Sequence, residues 1–139
     1  MVGLTPRMPK IQATVSQLRR AFNRLRLEAQ RDIKPHNCLL LFYAAECGLK
    51  CALLRDKRLS ETGKSTATHD FSALMRDLKV SPAAVSAPPS FRLQGKPSSS
   101  YDSSYAHQAW RYGVDMESAD ETALLEWMGK LCKYLETIL

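Results

Sequence analysis

Asn37 to Arg58 reads NCLLLFYAAECGLKCALLRDKR, and the fold turns on how that stretch is read. Its apolar and small residues recur at helical spacing, with Leu39, Tyr43, Cys47 and Leu54 on one line and Leu40, Ala44 and Cys51 beside it. Phe42, Leu49 and Leu53 widen that surface until it nearly encircles the helix. A helix apolar on most sides is a central one, covered by several neighbours. Leu40, Ala44, Cys47, Cys51 and Leu54 are therefore expected to be largely buried. Glu46 and Lys50, the only charges before Arg55, stand four apart in the favourable order. Arg55, Lys57 and Arg58 suit the negative end of the helix dipole.

Upstream, residues 1–8 read as a loose leader, and Pro9 suits a first helical turn. Ile11, Val15, Leu18, Phe22, Leu25 and Ala29 then step by fours and threes, which predicts an amphipathic helix to about Gln30. Lys10, Gln17, Arg20, Arg24 and Arg31 gather on roughly the opposite face. That basic face is either a solvated surface or a contact for phosphates or an acidic partner. Pro35 holds Lys34 extended, so the first helix ends before it and the central helix starts near His36 or Asn37. The two helices are expected to form an antiparallel hairpin.

Downstream, LSETGKSTATHD (Leu59 to Asp70) is polar and loop-like. Thr68 or Asp70 is expected to cap a third helix carrying Phe71, Leu74, Met75 and Leu78 on one side. Residues 80–104 hold four of the seven prolines and the run Pro97-Ser98-Ser99-Ser100, and read as an irregular loop from which Phe91 and Leu93 dock on the core. Order returns at Tyr101 or Tyr105 in the short segment YAHQAWRYG, which Gly113 terminates. Ser118 and Glu121 have capping-box spacing, opening a last helix with Leu124, Met128, Leu131, Leu135 and Ile138 inward. No strand is expected. Four main helices and one short one make an all-α antiparallel helical bundle, a single domain over residues 1–139.

Composition narrows the function classes. No run of about 18 apolar residues occurs, so no membrane span is expected. MVGLTPRMPKIQ lacks the apolar stretch of a secretory signal, which points to a cytoplasmic protein. The four cysteines, Cys38, Cys47, Cys51 and Cys132, all fall in expected helices and read as reduced core thiols. A net charge of +6 allows an acidic partner such as nucleic acid without requiring one. A phosphate-binding glycine loop, an H-E-x-x-H and a C-x-x-C are all missing. Cys47 and Cys51 share a helical face, but no histidine joins them at ligand spacing, so no metal and no cofactor is expected.

Two arginine–histidine pairs could carry chemistry. Arg31 and His36 stand five apart at the helix junction, where arginine could stabilise a phosphorane while histidine moves a proton. His36 could equally pack or cap there. His107 and Arg111 lie one helical turn apart beside Trp110 and Tyr112, a grouping that could hold a base and a phosphate or simply close the core. His69, just before Asp70, reads as part of a helix cap.

Three stretches together resemble the HEPN family. FYAAECGLKCALLR (Phe42 to Arg55) looks like its alanine-rich E-x-x-L-K-A-L-L helix, and T-H-D-F-x-x-L (Thr68 to Leu74) like its threonine-histidine-aspartate helix start. WRYG (Trp110 to Gly113) before a closing helix resembles its R-Y-P turn. The resemblance implies an antiparallel helical bundle, often homodimeric, in toxin–antitoxin or antiphage defence systems and nucleotidyltransferase pairs. It also implies either a metal-independent ribonuclease with an R-x4-6-H motif or a non-catalytic binding module. Arg31 and His36 fit that spacing but precede the central helix, His107 and Arg111 have the reverse order, and Gly113 stands where proline is usual. The expectation is accordingly a binding module for RNA, a nucleotide or a protein partner, with His107, Trp110, Arg111 and Tyr112 as its ligand site. Arg20, Arg24 and Arg31 form its basic surface. An endoribonuclease using Arg31, His36, His107 or Arg111 is the alternative, and an assembly subunit of a larger complex the second.

Overall fold

A computed structural model describes residues 12–29, 35–63 and 68–139, the side chains of Pro35 and His36 excepted. The described chain is mostly helical with one small two-stranded sheet, in the order α1 (Val15–Ala29), α2 (Pro35–Asp56), α3 (Phe71–Leu78), β1 (Phe91–Leu93), β2 (Lys96–Tyr101), α4 (Ala106–Tyr112) and α5 (Ser118–Ile138). Helix α2 occupies the middle, touching α1, α3, α4 and α5. Phe42, Ala44, Ala45, Leu49, Cys51, Leu53 and Leu54 are fully buried along it. Leu40 and Cys47 are only half-buried, a correction to the expectation that all five marker residues lie deep. By length and a mean hydropathy of 1.4, Asn37–Asp56 is apolar enough to cross a membrane, against the expectation from the sequence; 67% of that stretch is buried inside the protein.

Helix α1 lies antiparallel to α2. Cys51 Sγ, near the end of α2, faces the carbonyl of Val15 at 3.5 Å, and Leu18, Cys51 and Leu54 form one small cluster. The entrance to α1 is tied to the loop after α2, since Ala13 donates to Thr62 Oγ1 (2.9 Å) and receives a bond at its carbonyl from Thr62 N–H (2.9 Å). Gly48 permits the closest approach in the core. A Cβ there would meet Leu135 Cδ1 at 2.7 Å and Phe22 Cδ1 at 2.8 Å, so α1, α2 and α5 converge on a position without a side chain. Arg26 of α1 pairs with Glu136 of α5.

Asp70 caps α3 as its residue type predicts, accepting from Ser72 N–H at 2.9 Å and Ala73 N–H at 3.4 Å. The capping box expected at α5 does not form. The helix starts at Ser118 without a side-chain cap, and Glu121 Oε2 accepts from Trp110 Nε1 at 3.1 Å instead. A tertiary donor outcompetes the local one.

Residues 80–104 correct the expectation of an irregular loop without strands. Strands β1 and β2 pair antiparallel, Phe91 opposite Tyr101, around a turn in which Gly95 takes φ 76°. Phe91 is buried as expected and Leu93 half-buried. Pro97 is tolerated because β2 is an exposed edge. The other edge of β1 is covered: Arg92 accepts from Glu117 N–H at 2.8 Å, and its guanidinium reaches Glu117 and Asp120 at 3.0 Å. The hairpin is thereby strapped to the start of α5. It leads through a 3-10 turn, Ser103–Tyr105, into α4, which Gly113 ends at φ 70° as expected.

All four cysteines are free thiols, three of them buried and Cys47 half-buried. Burial pushes the thiols of Cys38 and Cys47 up to about 11 and that of Cys132 to about 12.

Candidate functional site

Two of the buried polar residues among those described, Glu46 and His107, lie where α2, the start of α3 and α4 meet. Tyr43 and Glu46 stand one turn apart on α2, and Glu46 is 8% exposed. A carboxylate that deep needs partners. Lys50 Nζ lies 2.8 Å from Oε2, the pair expected from spacing, and His69 Nδ1 lies 2.6 Å from Oε1. The second partner corrects the reading of His69 as part of a cap: with Asp70 holding the helix start and Thr68 Oγ1 accepting from Asp70 N–H at 3.1 Å, the imidazole is turned back over α2. A carboxylate accepts, so Nδ1 donates in this pair, and Nε2, without a partner among the described residues, belongs to a side chain 54% exposed.

His107 lies against His69, ring centroids 4.9 Å apart and tilted by 40°, and against Phe42 at 5.0 Å. It is 6% exposed, and its Nδ1 finds no hydrogen-bond partner among the described residues. Burial lowers its pKa below the usual 6.5, with His69 and Arg111 pushing the same way. The nearby Ser104 backbone and Glu46 act in the opposite sense and are outweighed. His107 is thus a neutral wall of the site and does not stand beside Arg111 toward a shared anion, as its spacing had suggested. One turn on, Arg111 is exposed and donates from Nη2 to Tyr43 Oη. No carboxylate pairs with it among the described residues; its Cζ lies 6.0 Å from the Tyr112 ring, and Tyr43 and Tyr112 keep the guanidinium firmly charged.

The other expected residues fall elsewhere. Trp110 is buried with its Nε1 on Glu121, a core closer and not a stacking surface. Tyr112 is 69% exposed, so it is free to stack. Arg20 and Arg24 are exposed on α1. Arg31 lies outside the described residues, and only the backbone of His36, in the first turn of α2, is described. No cluster of three metal-ligating side chains occurs among the described residues. Tyr43, Glu46 and His69 were not anticipated in the site. The available signal was Glu46 itself, a carboxylate inside an apolar run, for which one lysine is seldom enough.

The arrangement can offer an anion the charged fork of Arg111, held by a tyrosine hydroxyl, beside an exposed imidazole whose Nε2 is left to accept a hydrogen bond or a proton, over an aromatic floor. Comparisons with protein-family models, with curated proteins and with solved structures found no match to this chain.

Proposed function

We propose that the chain is a HEPN-like antiparallel helical bundle that binds RNA or a nucleotide through its phosphate, as the binding module of a toxin–antitoxin or antiphage defence system. The observation that supports this most is Arg111, exposed, oriented by Tyr43 and without a carboxylate partner among the described residues. Arg26 is taken up by Glu136 and Arg92 by Glu117 and Asp120, whereas Arg111, like Arg20 and Arg24, has no acidic partner among the described residues; what sets Arg111 apart is that Tyr43 orients it. An oriented guanidinium without such a partner presents its fork to a phosphate from outside. The buried, neutral His107 argues for binding over proton transfer by that residue. The test is anisotropy of a labelled single-stranded RNA at low salt with wild type and Arg111→Ala of equal melting temperature. Loss of at least tenfold in affinity is expected; equal affinity overturns the reading.

One observation favours a second reading. Glu46 and His69 form a carboxylate–imidazole pair at 2.6 Å with Nε2 facing outward, the arrangement of a positioned base. In a metal-independent ribonuclease, His69 would take the 2′-hydroxyl proton while Arg111 meets the charge of the phosphorane. RNA cleavage in excess chelator that ends in 2′,3′-cyclic phosphate and disappears in His69→Gln would establish it; intact RNA would leave binding as the function.

A further inference from the structure

We propose that the tyrosine-lined groove between the β1–β2 hairpin and α4 receives the base of a nucleotide whose phosphate sits on Arg111, an inference that rests on the phosphate reading above. Helix α4 turns two faces to its surroundings. One carries His107 and Arg111 toward α2; the other, Gln108 and Tyr112, borders a groove of about 170 Å³. Tyr105, which opens α4 three residues before Gln108, and Tyr101 of β2 line the same groove with Phe91 and Ala109.

Three features of the groove select a flat, electron-rich ring. The first is its tyrosines. Tyr105 and Tyr112 are 51% and 69% exposed, so their rings are displayed at the surface and not drawn into the core. Tyr101 is already anchored, stacked on Phe91 at 5.6 Å and edge-on to Tyr105 at 6.5 Å, which fixes one wall. Aromatic walls at ring spacing accept another ring by stacking or edge contact, whatever the base. The second is Gln108, exposed on the rim, whose amide both donates and accepts and so matches the edge of a base. The third is charge. None of the lining residues is acidic, the chain carries a net +6, and Arg111 Cζ lies 6.0 Å from the Tyr112 ring. Arg111 does not line the groove, but with its guanidinium 6.0 Å from the Tyr112 ring a phosphate on Arg111 and a base against Tyr112 lie within the reach of one nucleotide. An apolar peptide would use the tyrosines and leave the guanidinium idle.

Calorimetric titration of the whole chain at low salt with adenosine 5′-monophosphate, ribose 5-phosphate and adenosine tests this. The monophosphate is expected to bind roughly 5- to 150-fold tighter than ribose 5-phosphate. Tyr112→Ala and Tyr105→Ala should each remove that margin, and Arg111→Gln should weaken both phosphates. Tyr112→Phe, which keeps the ring, should retain the margin, and equal melting temperatures certify the fold of each variant. Equal affinity of the two phosphates in wild type overturns the base groove and spares the phosphate site. Absence of binding by either phosphate overturns both. Sedimentation showing a dimer that Tyr112→Ala dissociates, with no base-dependent margin, assigns the groove to a second copy and also overturns the proposal.

Discussion

Helices α2 and α4 use the same kinds of residue to opposite ends. Both carry aromatic rings, a basic side chain and polar groups near one seam. In α2 nearly every position before Arg55 is enclosed, and the two charges among them, Glu46 and Lys50, satisfy each other at 2.8 Å. In α4 only one face is enclosed. Ala106, His107, Ala109 and Trp110 are buried, while Gln108, Arg111 and Tyr112 are left outside. A helix of seven residues could not hold its shape alone, so its exposed face is positioned by the buried one. Stability resides in α2 and binding capacity in α4, and the two should respond differently to substitution.

The largest effect is expected at Phe42, which is fully buried and packs in tilted contact with Phe71 at 4.6 Å and His107 at 5.0 Å. Phe42→Ala should lower stability by about 3–5 kcal/mol in denaturant titration, and a loss under about 1 kcal/mol would break the contrast between the helices. Gly48→Ala adds a methyl where Leu135 and Phe22 already stand, and overpacking of this kind costs about 1–3 kcal/mol. Thermal melting would read it, and an unchanged midpoint would mean that the three helices do not converge there.

A smaller effect tests the wall between α2 and α4. Because the folded His107 has a pKa below its ordinary 6.5, the unfolded chain binds the proton more readily. Its contribution to stability is full above pH 6.5 and declines as pH falls from there through the lowered folded value, with no further change below it. The wild type should therefore lose more midpoint temperature between pH 7.5 and 5 than His107→Phe, which keeps a ring against Phe42. The smallest effect is expected at Arg111: Arg111→Ala should change stability by no more than about 0.5 kcal/mol, despite its bond to Tyr43.

Much of this contrast was legible in the sequence, and for a physical reason. The apolar periodicity of Asn37 to Arg58 wraps around the helix, and only a central position satisfies it. Asp70 and Gly113 mark helix ends through local hydrogen bonding and backbone conformation, which sequence encodes directly. The hairpin was not legible, because its strands are too short and polar to show alternation and only Gly95 marks the turn. The site was half legible. Arg111 and Tyr112 are exposed as a ligand site requires, but the spacing that joined Arg111 to His107 misled because His107 is buried, and the Glu46–His69 pair joins residues 23 apart and is decided by how α3 docks. Glu121 shows the converse, a correct local motif overruled by a donor from another helix.

The enclosed thiols make the chain a reporter on its own breathing. A thiol whose pKa is held near 11 or 12 is almost entirely protonated at neutral pH, and an alkylating reagent attacks only the thiolate. Labelling of Cys38, Cys51 and Cys132 then waits on opening of the structure, and the rate at each position measures which part opens. Cys51 is shielded chiefly by α1, with Leu18 and Val15 beside it, whereas Cys132 lies in the main core on α5. Mass spectrometry of pulse-alkylated protein should find Cys51 modified before Cys132 if α1 detaches as a unit. Equal rates at the two positions would mean that the chain opens in a single step.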